Sequence, residues 1–268
     1  MQIINFMKCP ICYTEISDDS KFCNHCGAKI EDEGKTCPNL ECCRTGLPHE
    51  ANYCPDCGAK LNNNQENSTD FKDNSGSFTD ERDGHKYKWI RIGSQIWMAE
   101  NLAYEMDEGC WIYKDKRENL LKYGRLYDWE TAKKACPKGW HLPSYREWIE
   151  LINLLIENEY FYNPLEQDSI AKALASKKDW NVSDQEGTPG NNPEVNNSTG
   201  FDAKPGGWFY SNINEYVLNE WKGCWWTATE YEYDKYQSIL MELMHDVNYL
   251  YETFDCKEFG FSVRCIKD

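Results

Sequence analysis

From residue 84 onwards, polar and apolar positions fall into short patterned runs. Lys86-Tyr-Lys-Trp-Ile-Arg-Ile92 and Gln95-Ile-Trp-Met98 flank Gly93-Ser94, which predicts two short strands joined by a tight turn. Between Asp128 and Cys136, the side chains of Trp129, Ala132 and Cys136 share one helical face, and Pro137 stops the helix. Ser144-Tyr-Arg-Glu147 is a capping box. Behind it Trp148, Leu151, Ile152 and Leu155 form an apolar stripe, which predicts a helix to about residue 159. Ile170 and Leu174 predict a shorter helix within 169–177, and the Asn-, Gly- and Pro-rich residues 181–207 read as loop. From Trp208 the pattern shortens to strands at 224–227, 237–243, 247–251 and 260–266. In the second of these, alternation predicts Ile239, Met241 and Leu243 facing inward and Ser238, Leu240 and Glu242 facing outward. Helices early and strands late give an α+β domain over 83–268.

The first part of the chain has no such pattern. Nine of the 14 cysteines precede residue 58, whereas all 11 tryptophans follow residue 88. The two regions are therefore held together by different physics. A cysteine-rich domain spans 7–61. Residues 62–82 are polar, small and unpatterned, which predicts a flexible linker.

Cys9, Cys12, Cys23 and Cys26 form one CxxC…CxxC set; Cys37, Cys42, Cys54 and Cys57 form a second with a wider first knuckle. A CxxC turn brings two thiolates together, and four thiolates close a tetrahedral zinc shell at about 2.3 Å. Phe22-Cys-Asn-His-Cys-Gly-Ala-Lys-Ile30 repeats as Tyr53-Cys-Pro-Asp-Cys-Gly-Ala-Lys-Leu61, so the unit occurs twice. Cys43 takes the place that Gly has after other knuckles, which leaves Cys42 as the ligand, and His25 inside a knuckle reads as a surface residue. A disulfide scaffold is the competing reading, and it needs an oxidising compartment. The segment resembles a tandem, or double, zinc ribbon of the bacterial type. That resemblance implies two structural zinc ions, in a module of a kind that serves in protein interaction, nucleic-acid binding or as a spacer, with a protein partner expected here.

Charge and hydropathy remove other classes. Lys and Arg total 29 against 45 Asp and Glu, a formal charge of −16. Even residues 1–61 carry more acids than bases, and each Cys₄ site adds a further formal −2. A nucleic-acid surface is not expected. No apolar run approaches the roughly 18 residues that a membrane helix needs. The opening residues lack a basic stretch followed by an apolar core, so no signal peptide is read and a cytoplasmic location is expected.

Residues 84–268 contain no phosphate loop, nucleophile elbow or HExxH motif. His85, His141 and His245 are too separated to nominate a metal site, and His141 within Gly139-Trp-His-Leu-Pro143 reads as a packed turn residue. Longer phrases are more specific. Asp83-Gly-His-Lys-Tyr-Lys-Trp-Ile-Arg-Ile-Gly-Ser-Gln-Ile-Trp-Met-Ala-Glu-Asn-Leu102 opens the region. Tyr123-Gly-Arg-Leu-Tyr-Asp-Trp129, Cys136-Pro-Lys-Gly-Trp-His-Leu-Pro-Ser144, Thr199-Gly-Phe201, Trp225-Trp-Thr-Ala-Thr229 and Gly260-Phe-Ser-Val-Arg-Cys265 follow in order. Together they resemble the Fibrobacter succinogenes major paralogous (FISUMP) domain. The resemblance implies a C-type-lectin-like or formylglycine-generating-enzyme-like fold, with two helices, a small twisted antiparallel sheet and long loops. It also implies a binding module. Nested disulfides Cys136–Cys265 and Cys224–Cys256 suit such folds, but a leaderless zinc-ribbon chain is expected to keep these thiols close and reduced. The calcium-dependent sugar motif of animal lectins is absent.

The segment after Trp225-Trp226 has the texture of a paratope, with tyrosines among Asp, Asn and Ser. Its candidate contact residues are Tyr231, Tyr233, Asp234, Tyr236, Ser238, His245, Asn248, Tyr249 and Tyr251. The competing reading is an ordinary solvated sheet face. In some C-type-lectin-fold proteins that resemble this one, the same region is the variable part of a diversity-generating retroelement product. The functional expectation is a non-enzymatic binding protein with a protein or glycan ligand. A formylglycine-generating-type enzyme and a zinc-ribbon nucleic-acid regulator are the alternatives.

Overall fold

The computed structural model describes residues 6–8, 15–17, 74–163, 165–166, 169–217 and 220–268. The chain divides into two compact units, Met1–Asp70 and Phe71–Asp268. In the first, β1 (Phe6–Lys8) pairs antiparallel with β2 (Glu15–Ser17), with Phe6 opposite Ser17 and Lys8 opposite Glu15. All eight proposed zinc ligands lie outside the described residues, as do residues 62–73 of the linker.

In the second unit, one sheet has the order β3 (Ser75–Thr79), β4 (Lys86–Ile92), β5 (Gln95–Met98), β15 (Ile266–Lys267), β8 (Trp140–His141). A second has the order β13 (Tyr251–Cys256), β12 (Gln237–Met244), β11 (Lys222–Glu230), β14 (Phe261–Ser262), β7 (Leu126–Tyr127), β6 (Cys110–Trp111). Pairing is antiparallel except between β11 and β14. A separate hairpin joins β9 (Trp208–Tyr210) and β10 (Glu215–Val217). The helices are α1 (Arg117–Tyr123), α2 (Trp129–Ala135), α3 (Tyr145–Glu157) and α4 (Ala171–Leu174). Among the described residues no helix is long and apolar enough to cross a membrane.

Local chemistry explains the helices. Asp128 caps α2 by accepting the Thr131 amide at 2.7 Å. The Ser144 hydroxyl accepts the Glu147 amide while the Glu147 carboxylate takes the Ser144 amide at 2.7 Å, closing the capping box of α3. The β4–β5 turn needs glycine, because Gly93 has φ +57° and a Cβ there would meet the Leu154 side chain at 2.7 Å.

The core has two halves, one on each face of β11. Successive side chains of a strand point to opposite faces, so Trp225 and Trp226 serve different halves. Trp226 packs with Leu240, Phe261 and Trp129, while Trp225 packs with Trp148, Trp97, Met241 and Leu243. Both faces of β12 are therefore covered. The expected outward set fails for this reason, since Ser238, Leu240 and Glu242 are all buried.

Four further expectations fail. The linker was expected to reach residue 82, but 75–79 form the edge strand β3. Phe78 stacks on Trp140 with ring centroids 4.5 Å apart, and Gly76 lies so close to the Trp89 indole that any Cβ would collide with it. The strand expected at 247–251 begins only at Tyr251. The strand expected at 260–266 is split between the two sheets as β14 and β15, with residues 263–265 crossing between them. Cys136 and Cys265, expected to be reduced, form a disulfide that fastens the end of α2 to this crossing. Cys224 and Cys256 are free. Cys224 lies opposite Glu242 and Cys256 opposite Gln237, five rungs apart along β12. That is about 17 Å, against the roughly 7 Å limit for Cα atoms in a disulfide.

Candidate functional site

The nine candidate contact residues divide between the two ends of β12, which are more than about 20 Å apart at the rise of a strand. Tyr231, Tyr233, Asp234 and Tyr236 occupy the tip between β11 and β12. Tyr231 stacks on Phe254 of β13 with centroids 4.0 Å apart and planes at 11°, and Tyr233 meets Tyr231 edge-on at 5.4 Å. Tyr233, Tyr236 and Phe254 are 79%, 66% and 45% exposed. The tip is internally bonded. Asp234 Oδ1 accepts the Tyr236 amide at 3.0 Å, and Lys257 Nζ donates to Lys235 O at 2.8 Å while pairing with Glu230 at 3.1 Å. These exposed aromatic rings lie in a segment that also carries Glu230 and Glu232. Phe254 was missed from the sequence because its exposure depends on β13 being a sheet edge.

Ser238 and His245 do not face solvent. Ser238 is buried and donates its hydroxyl to Thr229 O at 2.7 Å; His245 is buried against Trp221, with rings 4.6 Å apart. Asn248 and Tyr249 lie at the opposite end from the tip, where Asn248 Nδ2 donates to Glu166 at 2.9 Å. Tyr251 is half-buried and points to a polar knot instead. Its hydroxyl donates to Glu242 at 2.7 Å, and Glu242 also pairs with Lys222 at 2.8 Å. Burial, followed by the adjacent Glu242 charge, pushes the Tyr251 phenol and the neighbouring Cys224 thiol well above their ordinary ranges. Cys224 is thus a protonated core thiol, unsuited to nucleophilic chemistry.

A concavity that no motif announces lies elsewhere on the unit. It has a volume of about 620 Å³ and is walled by the segment following β5, by α1, by residues 202–204 and by the turn before β4. Its residues come from four separate stretches of sequence, so no spacing rule could have gathered them. Arg82 lies over the Tyr104 ring at 3.7 Å and is held by Asp80 at 2.6 Å. Burial works against the charge on Asp80, but the bonds from Arg82 outweigh it and keep the carboxyl below its ordinary range.

His141, expected to be a packed turn residue, bridges two carboxylates. Its Nδ1 lies 2.6 Å from Asp268 and its Nε2 2.8 Å from Glu147. Among the described residues no cluster of three or more His, Cys, Asp or Glu is arranged to hold a metal ion.

No curated protein and no solved structure matches the chain. Two family models do. Residues 9–58 match the double zinc ribbon, which covers the eight paired cysteines. Residues 90–267 match the Fibrobacter succinogenes major domain, a span that runs from within β4 to β15 and takes in the whole second sheet and all of the first but β3 and the start of β4. The chain therefore carries a double zinc ribbon followed by a sheet-rich α+β domain, and it belongs to the Fibrobacter succinogenes major domain family.

Proposed function

We propose that residues 74–268 form a non-catalytic, lectin-like binding domain whose ligand face is the aromatic tip of the β11–β12 hairpin. The ligand is a protein or a glycan. The observation that carries this reading is the stacked Tyr231–Phe254 pair with exposed Tyr233 and Tyr236, held on a turn whose backbone is already bonded. Tyrosines offer large contact area with little side-chain entropy to lose, and a rigid turn lowers the cost of ordering. Binding is favoured over formylglycine-type chemistry, which would need a paired, exposed thiol site: Cys136 and Cys265 are tied to each other, Cys224 is buried, and the half-buried Cys110 and Cys256 stand on β6 and β13, the two opposite edges of one sheet. The lectin-like assignment is supported by the same disulfide, which joins a helix end to the residue before the last strand. The double zinc ribbon is proposed to hold two zinc ions. Its eight thiolates suit two tetrahedral shells. Closed shells of this kind hold a small fold together, and that fold serves as the contact module for a protein partner rather than for nucleic acid. A disulfide forms under oxidising conditions, so the second unit is proposed to work outside the reducing cytosol.

A glycan array and a protein array, each probed with the wild type and with the Tyr233→Ala/Tyr236→Ala/Phe254→Ala variant, test the reading. Ligands held by the wild type and lost by an equally stable variant are expected. A variant that keeps every ligand places the site elsewhere.

A further inference from the structure

The 620 Å³ concavity lies within the roughly 300–1,000 Å³ range of small-molecule sites. On a chain with formal charge −16 its lining is reversed in sign, with Arg82, Lys88, Lys122, Arg125 and Lys204 set against four carboxylates. Two of these cations are neutralised from outside the cavity wall, Arg82 by Asp80 at 2.6 Å and Lys122 by Asp179 at 2.7 Å. Among the described residues the Lys88 ammonium has no carboxylate partner. Arg125 is the decisive group. Its side chain is only 9% exposed, and Nε donates to Ala103 O at 3.2 Å. Its carboxylate partner is Glu105, 2.9 Å away, whose side chain is 76% exposed. A buried guanidinium is costly without an anion. Here the anion is supplied by a side chain that stands in solvent and is free to swing aside.

We propose that this cavity binds a small organic carboxylate, whose carboxylate group takes the place of Glu105 on Arg125. The planar fork of arginine matches a carboxylate with two parallel hydrogen bonds, and Lys88 supplies a second, uncommitted cation at the rim. Glu105 is then an internal competitor that keeps Arg125 paired when the cavity is empty. This site is separate from the aromatic hairpin tip and does not depend on that reading.

Calorimetric titration of the full chain at low salt with acetate, citrate, glucuronate and inorganic phosphate tests the proposal. At least one carboxylate should bind, and Lys88→Gln should weaken it. Glu105→Gln removes the competitor while keeping an acceptor near Arg125, so it should bind about two- to fivefold tighter, the equivalent of one partly exposed ion pair. A bound carboxylate should also raise the melting temperature of both proteins. The Tyr233→Ala/Tyr236→Ala variant should bind as the wild type does. Glu105→Gln binding no tighter than wild type overturns the exchange. Failure of all three carboxylates with both proteins, or binding of phosphate alone, overturns the ligand class.

Discussion

The side-chain oxygen of Asn101 accepts both Nε and Nη2 of Arg264, at 3.1 and 2.7 Å, in a site where both residues are buried. The same oxygen takes Nε1 of Trp225 at 2.9 Å, while Arg264 Nη1 reaches Phe201 O at 2.6 Å and Met98 O at 3.2 Å. Burial pulls the Arg264 pKa down to about 10, so the group still carries its charge at neutral pH. Arg264 sits in the crossing between β14 and β15 and is bonded to the segment following β5. Asn101→Ala is expected to cost about 2–4 kcal/mol, because a buried charge and an indole N–H lose their shared acceptor. Arg264→Lys should cost a similar amount, since an ammonium cannot reach all of these oxygens. Urea unfolding checks both, and a cost below about 1 kcal/mol would show that the knot is dispensable.

The Cys136–Cys265 disulfide closes a sequence separation of 129 residues. Removal of such a link commonly costs about 2–5 kcal/mol, much of it through the entropy of the unfolded chain. Cys136→Ser/Cys265→Ser is expected to melt earlier than the wild type, and the difference should vanish when both are melted in reductant. Alkylation of the unreduced domain should label Cys110, Cys224 and Cys256 after unfolding and leave the bonded pair unmodified. Labelling of Cys136 would contradict the link.

Zinc removal is expected to act on one unit only. Elemental analysis should find two zinc ions per chain, held by Cys9, Cys12, Cys23, Cys26 and by Cys37, Cys42, Cys54, Cys57. Chelation should unfold residues 1–61, because metal binding supplies their folding free energy. Every tryptophan follows residue 88, so near-ultraviolet circular dichroism should stay unchanged on chelation. Its collapse would show that the two units fold as one.

Much of the second unit was legible where a local signal coincided with a local cause. The Ser144–Glu147 box acts within three residues, and β4 and β5 are joined by the turn that Gly93-Ser94 announces. Elements that depend on distant partners were not legible. β3 exists because Phe78 finds Trp140, and 260–266 breaks because Arg264 must reach Asn101. The candidate face was half legible. Alternation in 237–243 predicts one wet face and one dry face, but the strand is covered on both sides over Leu240–Leu243, and Ser238 is buried while Ile239 is only half-buried. The tip tyrosines escape because they lie beyond the sheet, where no second layer reaches.

His141 offers a test by pH. It stands between Asp268 and Glu147, at 2.6 and 2.8 Å, and so ties Asp268 to the first turn of α3. Burial disfavours the imidazolium, but the hydrogen bonds to Asp268 and Glu147 outweigh it and raise the His141 pKa above 6.5. Burial likewise disfavours the Glu147 carboxylate, but the Ser144 amide and His141 hold its pKa below 4.5. The signs differ. A raised histidine contributes stability that is fully present below its unfolded pKa and is lost as pH rises through the folded value. A lowered carboxylate contributes stability present above its unfolded pKa and lost as pH falls through the folded one. Both contributions coexist between the unfolded pKa values of Glu and His, roughly pH 4.5–6.5. The stability difference between wild type and His141→Gln is therefore expected to be largest near pH 5.5. It should shrink as the pH climbs past the raised histidine value, with a second decline in acid as Glu147 is protonated. Half-exposed groups are screened by solvent, so the effect should also weaken in high salt. Melting temperatures of the two proteins from pH 4 to 9 decide the matter. A difference that is flat across this range, or that grows with pH, would show that His141 is neutral in the folded protein and bonds as an uncharged ring.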